Sequence, residues 1–321
     1  MQMKDFIVDP SIIRLDSSGS WQPLGLVDLE ACSDVVCVDT LPPFPLIGLG
    51  DSAHPLARFL DAVIEPPISA EMLIRQVERA PHAAAIAVQL LRSIDGLPGE
   101  RALLLESFCY GLLQGSAEHQ AWLQAREPAA RLSEDGRVIV ERQDGVLHVV
   151  LDRAWARNAI DRSMRDQLFE AFSIALLVPE VQSIKLRATG SVFSVGGDLT
   201  EFGTTRDPAT AHLIRSRTLP ASALASGAKA LDVHVQGACI GAGLEIAAFA
   251  SRLTATPDAW FQLPELSMGL IPGAGGCVSV PRRIGRQRAA LLMLSGRRIN
   301  ATTAYRWGLI DAIESTPQLD S

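Results

Sequence analysis

The chain has 321 residues, of which 48% are hydrophobic and 20% are charged, and its formal net charge is −7. This composition is typical of a globular protein with one large domain or two smaller ones, and it excludes a disordered or coiled-coil chain. The acidic balance argues against a nucleic-acid-binding protein, whose footprint is basic. Since the sequence contains neither a targeting signal nor an apolar run long enough to span a bilayer, a cytoplasmic protein without membrane partners is expected.

Residues 1–135 are predicted to form a mostly helical N-terminal region. It begins with an irregular, proline-rich stretch, VDTLPPFPLIGLGDSAHPL, in which Gly48 to Gly50 are interpreted as a turn because the third glycine of a dinucleotide fingerprint is missing. Four helices with short links follow. Ser69 is the predicted N-cap of the first helix, and Pro81 stands in the first turn of the second. The third and fourth helices are predicted over PGERALLLESFCYGLLQGS and AEHQAWLQAR.

Residues 136–321 show a different pattern. Two alternating, β-branched runs flank Asp144 and Gly145 in RVIVERQDGVLHVVLDR, which predicts a β-hairpin. A helix over SMRDQLFEAFSIAL follows the candidate cap Asp161. Further strands are predicted over VQSIKLRAT, DVHV, RLTAT and AWFQL. Strands that alternate with helices favour an α/β layered domain.

The five cysteines are scattered along the chain and form no CxxC pair, which suits a reducing compartment. They are Cys32, Cys37, Cys109, Cys239 and Cys277. The six histidines form no HExxH motif or His/Cys cluster. Because the spacing that metal ligands require is missing, no metal site is expected.

Two glycine-rich turns carry the first functional signal. In SVFSVGGDLTEFG, Gly196 and Gly197 permit close approach of the backbone, and Asp198 suits the start of a helix. VHVQGACIGAGLE repeats this order of strand, turn and helix, with Ala242 at the turn or the first helical residue. Taken alone, each stretch could be an ordinary turn between a strand and a helix without a functional role. Together, the N–H groups of Gly197 and Ala242 could converge on one oxygen as an oxyanion hole.

Two isolated carboxylates carry the second signal. Glu245 stands among Leu244, Ile246 and a run of alanines, and Glu265 stands between Pro264 and Leu266. Compensation of the helix dipole would be an ordinary explanation for Glu245. However, a carboxylate in apolar surroundings is costly unless it is paired or functional. One glutamate can accept a proton while the other donates one beside a stabilised carbonyl, so general acid–base chemistry is predicted.

Residues 137 to about 313 resemble the crotonase, or enoyl-CoA hydratase/isomerase, superfamily. The similar motifs are RNAIDRSM, FSVGGDLTEF, QGACIGAGLEIAAFAS and the long stretch that begins at FQLPELSMGLIPGAGG. The resemblance implies a spiral of ββα units, an acyl-CoA thioester substrate and no cofactor other than the coenzyme A of that substrate. It also implies a homo-oligomer, either a trimer or a hexamer.

The resemblance assigns roles to individual residues. Gly197 and Ala242 would hold the thioester oxygen, and Glu245 and Glu265 would activate one water for addition across the 2,3 double bond. Family isomerases commonly keep only the glutamate that matches Glu265. The residues implied to bind coenzyme A or substrate are Arg157, Ala159, Val195, Gly196, Asp198 and Leu199.

The sequence departs from the family in three ways. The helical tail that follows GLID in relatives is almost absent, about 135 residues precede the matching part, and Thr200 replaces a common lysine. The sequence therefore does not identify the residues that bind the phosphates of coenzyme A. Arg157 is one candidate for binding these phosphates, and a cluster of four arginines is another. A solvated helix face explains that cluster equally well. The cluster consists of Arg282, Arg283, Arg286 and Arg288.

An enoyl-CoA hydratase is the predicted function. The enzymatic alternatives are an isomerase or another enolate-stabilised reaction, namely hydrolysis, decarboxylation or the cofactor-free oxygenation of a dioxygenase branch with a similar N-terminal extension. A non-catalytic acyl-CoA-binding protein is an alternative of another class. The N-terminal region is expected to replace the missing tail by docking on the acyl-CoA domain of its own chain or of a neighbour, through AAAIAVQLLRSI and RALLLESFCYGLL. The alternative is a separate helical module on a linker at residues 127–130.

Overall fold

A computed structural model of the protein describes residues 3–8, 22–32, 41–127, 134–227 and 229–315. Cys37 and the candidate linker residues 128–130 lie outside these ranges. The strands of the N-terminal region are β1 (Gly25–Asp28), β2 (Leu46–Leu49) and β3 (Ala62–Val63). Its helices are α1 (Ala70–Arg79), α2 (Pro81–Ile94), α3 (Gly99–Gln114) and α4 (Ala117–Ala125).

The C-terminal region contains the remaining elements. Its strands are β4 (Arg137–Gln143), β5 (Val146–Asp152), β6 (Ser183–Ala188), β7 (Ala230–Val235), β8 (Ala238–Ile240), β9 (Arg252–Ala255), β10 (Trp260–Gln262), β11 (Ile299–Asn300) and β12 (Ala312–Ile313). Its helices are α5 (Arg162–Leu177), α6 (Pro208–Thr218), α7 (Pro220–Leu224), α8 (Ala242–Ala247), α9 (Gly276–Ser295, broken at Gly285) and α10 (Ala301–Trp307). Among the described helices, none combines the length and apolar character needed to cross a bilayer.

The four predicted helices of the N-terminal region are confirmed. The Ser69 hydroxyl accepts a hydrogen bond from the N–H of Met72 at 3.3 Å, and Pro81 is the first residue of α2. The small parallel sheet, with β2 between β1 and β3, was not predicted. Gly48, interpreted as part of a turn, lies inside β2. A methyl group there would lie 2.9 Å from Cδ1 of Leu60, so close side-chain packing explains the glycine.

The C-terminal region has the expected α/β architecture. A six-stranded sheet has the order β12-β9-β7-β6-β5-β4, in which β4 and β5 are antiparallel and the other neighbours are parallel. A three-stranded sheet has the order β11-β10-β8. The chain passes from β7 in the larger sheet to β8 in the smaller sheet and then to α8, which makes one ββα unit. The next unit begins with β9 and β10.

The predicted local signals of this region are also confirmed. Asp144 and Gly145 form the β4–β5 turn with φ values of 47° and 78°, as a two-residue hairpin requires. Asp161 is the N-cap of α5, because its carboxylate accepts a hydrogen bond of 2.8 Å from the N–H of Met164. The short strand β8 was expected to be part of a glycine-rich turn. It contains only three residues, so no alternating pattern announces it.

The N-terminal helices dock on the C-terminal region of the same chain, as expected. Helices α1, α2 and α3 all contact α9, and their buried apolar side chains belong to the same hydrophobic core as those of α9. Ion pairs at the edge of this contact join Asp61 to Arg286 at 3.4 Å and Glu65 to Arg288 at 2.6 Å. The contact fixes where α3 and α4 stand relative to the glycine-rich turns.

The arginine cluster of α9 therefore acts largely within the fold. Arg283 pairs with Asp311 at 2.7 Å, in addition to the pairs that Arg286 and Arg288 make with the N-terminal region. The sequence left two possibilities for this cluster, a partner for the coenzyme A phosphates and a solvated helix face. Neither describes Arg283, Arg286 and Arg288, which form ion pairs within the protein. Arg282 is the exposed member of the cluster.

Candidate active site

The two glycine-rich turns lie against each other. The N–H of Ser194 donates to the carbonyl of Ala238, and the N–H of Ile240 donates to the carbonyl of Ser194, both at 3.0 Å. Gly196 has a φ of 92°, and a methyl group on it would lie 3.0 Å from the carbonyl oxygen of Ile240 and 3.6 Å from the nitrogen of Ala242. Glycine is needed at this position both for its conformation and for the close approach of the second turn.

The backbone donors predicted for an oxyanion hole stand at this contact. Ala242 is the first residue of α8, so its N–H precedes the hydrogen-bond ladder of the helix. Within the described residues, the N–H of Gly197 donates to no backbone or side-chain acceptor. Both residues line one cavity of about 470 Å³. Two uncommitted N–H groups beside a cavity are what stabilisation of a developing negative charge requires.

Glu245 is buried in α8, and the backbone holds its carboxylate. Its Oε2 atom accepts hydrogen bonds from the N–H groups of Ala274 at 2.6 Å and Gly276 at 2.9 Å. Burial raises the pKa of Glu245 to about 7, although these two hydrogen bonds favour the ionised form. A carboxyl group with such a pKa can exchange a proton near neutral pH.

Glu265 begins a short 3₁₀ helix, Glu265–Met268, and lines the same cavity. A methyl group on Gly241 would lie 2.7 Å from Oε1 of Glu265, so this carboxylate is next to the residue that precedes Ala242. Its Oε2 atom is buried and has no hydrogen-bond partner within the described residues. Burial, together with the charge of Glu245, raises the pKa of Glu265 well above its usual range. Two such neighbours resist ionising together, which suits a donor and an acceptor of protons.

The cavity collects most of the residues predicted from the sequence. Eight of them line it: Val195, Gly196, Gly197, Asp198, Leu199, Ala242, Glu245 and Glu265. Within the described residues, its lining does not include Arg157 or Ala159. The side chain of Arg157 is exposed, and its carbonyl accepts a hydrogen bond of 3.2 Å from the N–H of Val195. Arg157 therefore supports the first turn through its backbone.

The carboxylate of Asp198 is engaged inside the protein. It accepts hydrogen bonds from Arg153 at 2.8 Å and from the N–H of Thr200 at 2.9 Å, and Arg153 also pairs with Asp161 at 3.3 Å. Burial acts to raise the pKa of Asp198, but the hydrogen bonds from Arg153 and Thr200 outweigh it and lower the pKa. Asp198 starts a 3₁₀ helix, Leu199–Glu201, as its sequence position indicates. Its side chain thus stabilises the turn that carries Gly197.

The N-terminal region also contributes to the cavity, and sequence reasoning missed these residues. They are Tyr110, Gln114, His119 and Trp122. Arg215 of α6 joins the two regions here. Its guanidinium carbon lies 4.6 Å from the centroid of the Tyr110 ring. The guanidinium also donates to the Ser107 hydroxyl at 3.0 Å and to the side-chain oxygen of Gln114 at 2.9 Å. A signal did exist, because Glu106, Tyr110 and Gln114 recur every four residues in a helix that is rich in apolar residues. That spacing places them on one face.

Helix α4 forms another part of the wall. His119 is buried, and its Nδ1 donates to the carbonyl oxygen of Met268 at 2.8 Å. Burial lowers the pKa of His119, which favours the neutral imidazole. The Trp122 ring stacks on the His119 ring with 5.6 Å between their centroids, and it contacts the Phe202 ring edge-on with 6.0 Å between their centroids. These rings give the cavity an aromatic side. In the described ranges, no group of three or more His, Cys, Asp or Glu side chains is placed to hold a metal ion.

Comparison with known proteins assigns the chain to a family. A family model described as enoyl-CoA hydratase/isomerase matches residues 141–321, which is more than half of the chain. The protein therefore belongs to the enoyl-CoA hydratase/isomerase family of enzymes, and the resemblance noted from the sequence is confirmed.

Individual relatives match a little over half of the chain. The enoyl-CoA isomerase/hydratase fer4 of Mycosarcoma maydis is 35% identical over 189 residues, which cover 53% of this chain and 65% of that protein. The 2,3-dehydroadipyl-CoA hydratase of Escherichia coli (strain K12) is 32% identical over 55% of this chain and 68% of its own length. A crystal structure of an enoyl-CoA hydratase from Thermoplasma volcanium GSS1 is 33% identical, with a TM-score of 0.50, over 56% of this chain and 72% of that chain. The chain thus spans about two thirds of these relatives.

Proposed function

We propose that the protein is an enoyl-CoA hydratase, a lyase that adds water across the 2,3 double bond of an acyl-CoA thioester. The observation that carries this proposal is that two buried glutamates, Glu245 and Glu265, line one cavity with the backbone donors Gly197 and Ala242. The similarity to a protein named 2,3-dehydroadipyl-CoA hydratase supports the same reaction.

In the proposed mechanism, the thioester oxygen accepts hydrogen bonds from the N–H groups of Gly197 and Ala242. This polarises the conjugated double bond, so C3 becomes electrophilic. One glutamate takes a proton from water as the water oxygen bonds to C3, and the electron pair of the double bond moves toward the thioester oxygen. The other glutamate then donates a proton to C2, and the carbonyl re-forms. One water is consumed, and the product is the 3-hydroxyacyl thioester.

The geometry of the two glutamates supports a mechanism in which one accepts a proton and the other donates one. Glu265 presents an oxygen, Oε2, that has no partner among the described residues and can hold water or deliver a proton. Glu245 uses its Oε2 atom to accept two backbone hydrogen bonds, which fixes the orientation of its carboxylate. The backbone and the two side chains supply all the groups that the reaction needs. We therefore propose no cofactor other than the coenzyme A of the substrate.

A double-bond isomerase is the second candidate, because one relative is named an isomerase/hydratase. An isomerase removes a proton from one carbon and returns it to another, so a single carboxylate suffices. The partnerless oxygen of Glu265 would fit that role. In an isomerase, replacement of Glu245 would leave most of the activity intact, whereas a hydratase of this kind needs both glutamates.

We also propose that the protein acts as a cytoplasmic homo-oligomer, a trimer or a hexamer. Helix α3 exposes Leu104, Phe108 and Leu112 at four-residue spacing, with 46%, 52% and 65% of their surfaces accessible. Contiguous exposed apolar side chains of this kind often mark subunit contacts. Light scattering on wild-type protein and on a Phe108→Ser, Leu112→Ser variant tests this. A monomeric wild type would refute the proposal.

The first test of the reaction is incubation with crotonyl-CoA. Hydration removes the conjugated enone and therefore bleaches its ultraviolet absorbance. The matched control is the variant with both Glu245→Gln and Glu265→Gln, which keeps the shape of the site but no carboxylate. Bleaching by the wild type alone supports a hydratase. If wild-type protein leaves the absorbance of a panel of 2-enoyl-CoA thioesters unchanged, the proposal is wrong.

A further inference from the structure

A third buried glutamate, Glu106 of α3, lies against the segment that also contacts Glu245. Helix α3 lies outside the part of the chain that matches the family. Only 1% of the surface of Glu106 is exposed. Its Oε1 atom accepts a hydrogen bond of 2.8 Å from the N–H of Gly275, and its Oε2 atom accepts one of 2.9 Å from the N–H of Cys277. Both oxygens are therefore engaged with the segment that opens α9.

Glu106 and Glu245 divide four successive backbone amides between them. Glu245 accepts from Ala274 and Gly276, and Glu106 accepts from Gly275 and Cys277. The segment lies close against Glu245, because a methyl group on Gly276 would lie 2.6 Å from Cγ of that glutamate. The position of this segment and the orientation of the Glu245 carboxylate are consequently linked.

We propose that Glu106 is a positioning residue for Glu245. By holding the N–H groups of Gly275 and Cys277, it fixes the segment whose other two N–H groups orient the Glu245 carboxylate in the cavity. The N-terminal region thereby supplies part of the support on which proton transfer depends. The catalytic part of this inference rests on the proposed function, whereas the structural part does not.

Stabilisation of the start of α9 alone is a poor explanation for Glu106. A carboxylate near a helix N-terminus interacts favourably with the helix dipole, but the gain is modest. Here burial, and then the neighbouring charge of Glu245, raise the pKa of Glu106 well above its usual range. Placing a third carboxyl group in this cluster therefore costs free energy. A role in fixing the amides near Glu245 gives a reason for that cost.

The test is the variant Glu106→Gln, with Glu100→Gln as the matched control. Gln offers one accepting oxygen instead of two, because its NH₂ group cannot accept a hydrogen bond. One of the two amides therefore loses its acceptor. We expect kcat for enoyl-CoA hydration to fall by about 10²-fold, the scale of a small misplacement at an active site, with little change in KM. Glu100 is an exposed residue of the same helix, so its variant should behave as wild type.

A second readout does not depend on activity. Hydrogen exchange of the amides of residues 274–277 should be faster in Glu106→Gln than in wild type, and unchanged in Glu100→Gln. Unchanged exchange, or an unchanged kcat in a folded Glu106→Gln protein, would overturn the proposal. If the wild type hydrates no thioester, the proposed function fails while the exchange measurement still decides the role of Glu106.

The conservative variant Glu106→Asp completes the design. Asp keeps two accepting oxygens on a shorter side chain, so it should recover part of the kcat that Gln loses, as a positioning role requires. If the Gln variant does not fold, the Asp variant carries the test with the same two measurements. Wild-type kcat together with wild-type exchange in Glu106→Asp would then overturn the proposal.

Discussion

The Oε2 atom of Glu245 lies 2.9 Å from the backbone nitrogen of Gly276, whose N–H donates a hydrogen bond to it at the start of α9. A side chain at position 276 would collide with Glu245, so this contact depends on glycine. The orientation of a buried carboxylate is thus set by backbone rather than by a flexible side chain. Rigid support of this kind is what a group that transfers protons in a fixed geometry requires.

The first prediction concerns the two glutamates. Glu245→Gln and Glu265→Gln should each lower kcat by about 10²-fold or more, the scale for loss of a general acid or base. The exposed Glu141→Gln is the matched control and should keep wild-type activity. Steady-state turnover of crotonyl-CoA and circular dichroism are the measurements. Loss of activity in Glu265→Gln alone would indicate isomerase chemistry, and full activity in both variants would refute the mechanism.

The second prediction concerns the backbone donor at Ala242. Proline is tolerated at the first position of a helix, so Ala242→Pro removes the N–H while α8 keeps its start. We expect kcat to fall by about 10²- to 10³-fold, as for loss of one oxyanion donor. Ala242→Ser retains the N–H and is the control. Equal kcat values for the two folded variants would show that the donor lies elsewhere.

The third prediction follows from the protonation of Glu245. Burial raises its pKa from the ordinary value of 4.5 to about 7, so the folded state holds this proton more tightly than the unfolded chain. The stability that the group contributes is complete below about pH 4.5 and is lost as the pH rises through about 7. A shift of this size corresponds to about 3 kcal/mol.

Urea unfolding of the wild type and of Glu245→Gln across this pH range measures the effect. The variant should lack this part of the pH dependence. Its free energy of unfolding should therefore rise relative to that of the wild type as the pH increases. Parallel curves for the two proteins would mean that Glu245 does not bind a proton more tightly in the folded state.

The fourth prediction concerns Arg215, which connects α6 to α3. Its guanidinium donates to the hydroxyl and the carbonyl of Ser107 and to Gln114, and it stacks on Tyr110. Arg215→Ala removes these hydrogen bonds and should lower the free energy of unfolding by roughly 2–3 kcal/mol. KM should also rise, because the Tyr110 wall loses its support. Arg217→Ala, at an exposed position of the same helix, is the control; equal effects in the two variants would contradict this account.

The parts of the site that could be predicted from the sequence are local. Glycine at positions 196 and 197 and a carboxylate at positions 245 and 265 are visible because each stands out against its immediate neighbours. The hairpin at Asp144 and the helix caps are likewise set by residues close in sequence. Such signals survive in any fold that keeps the segment intact.

The parts that were missed depend on contacts between distant segments. The four-residue spacing of Glu106 and Tyr110 places them on one face of α3, but what that face contacts is set only when α3 docks beside α9 and α6. Asp198 lines the cavity, but Arg153, the partner of its carboxylate, could not be foreseen from the sequence. The strand β2 is short and buried, so it lacks the alternation that reveals strands with one wet face. No local pattern specifies these partners.

The hydration itself is tested most directly by following the oxygen of labelled water. Wild-type protein, incubated with a 2-enoyl-CoA in isotopically labelled water, should form the 3-hydroxyacyl-CoA with the heavy oxygen at C3. The variant with both Glu245→Gln and Glu265→Gln should form almost none. Mass spectrometry of the thioester product distinguishes this outcome from a shifted double bond, which contains no new oxygen. Recovery of an unlabelled isomer, or of unchanged substrate, from the wild-type reaction would contradict the assignment as a hydratase.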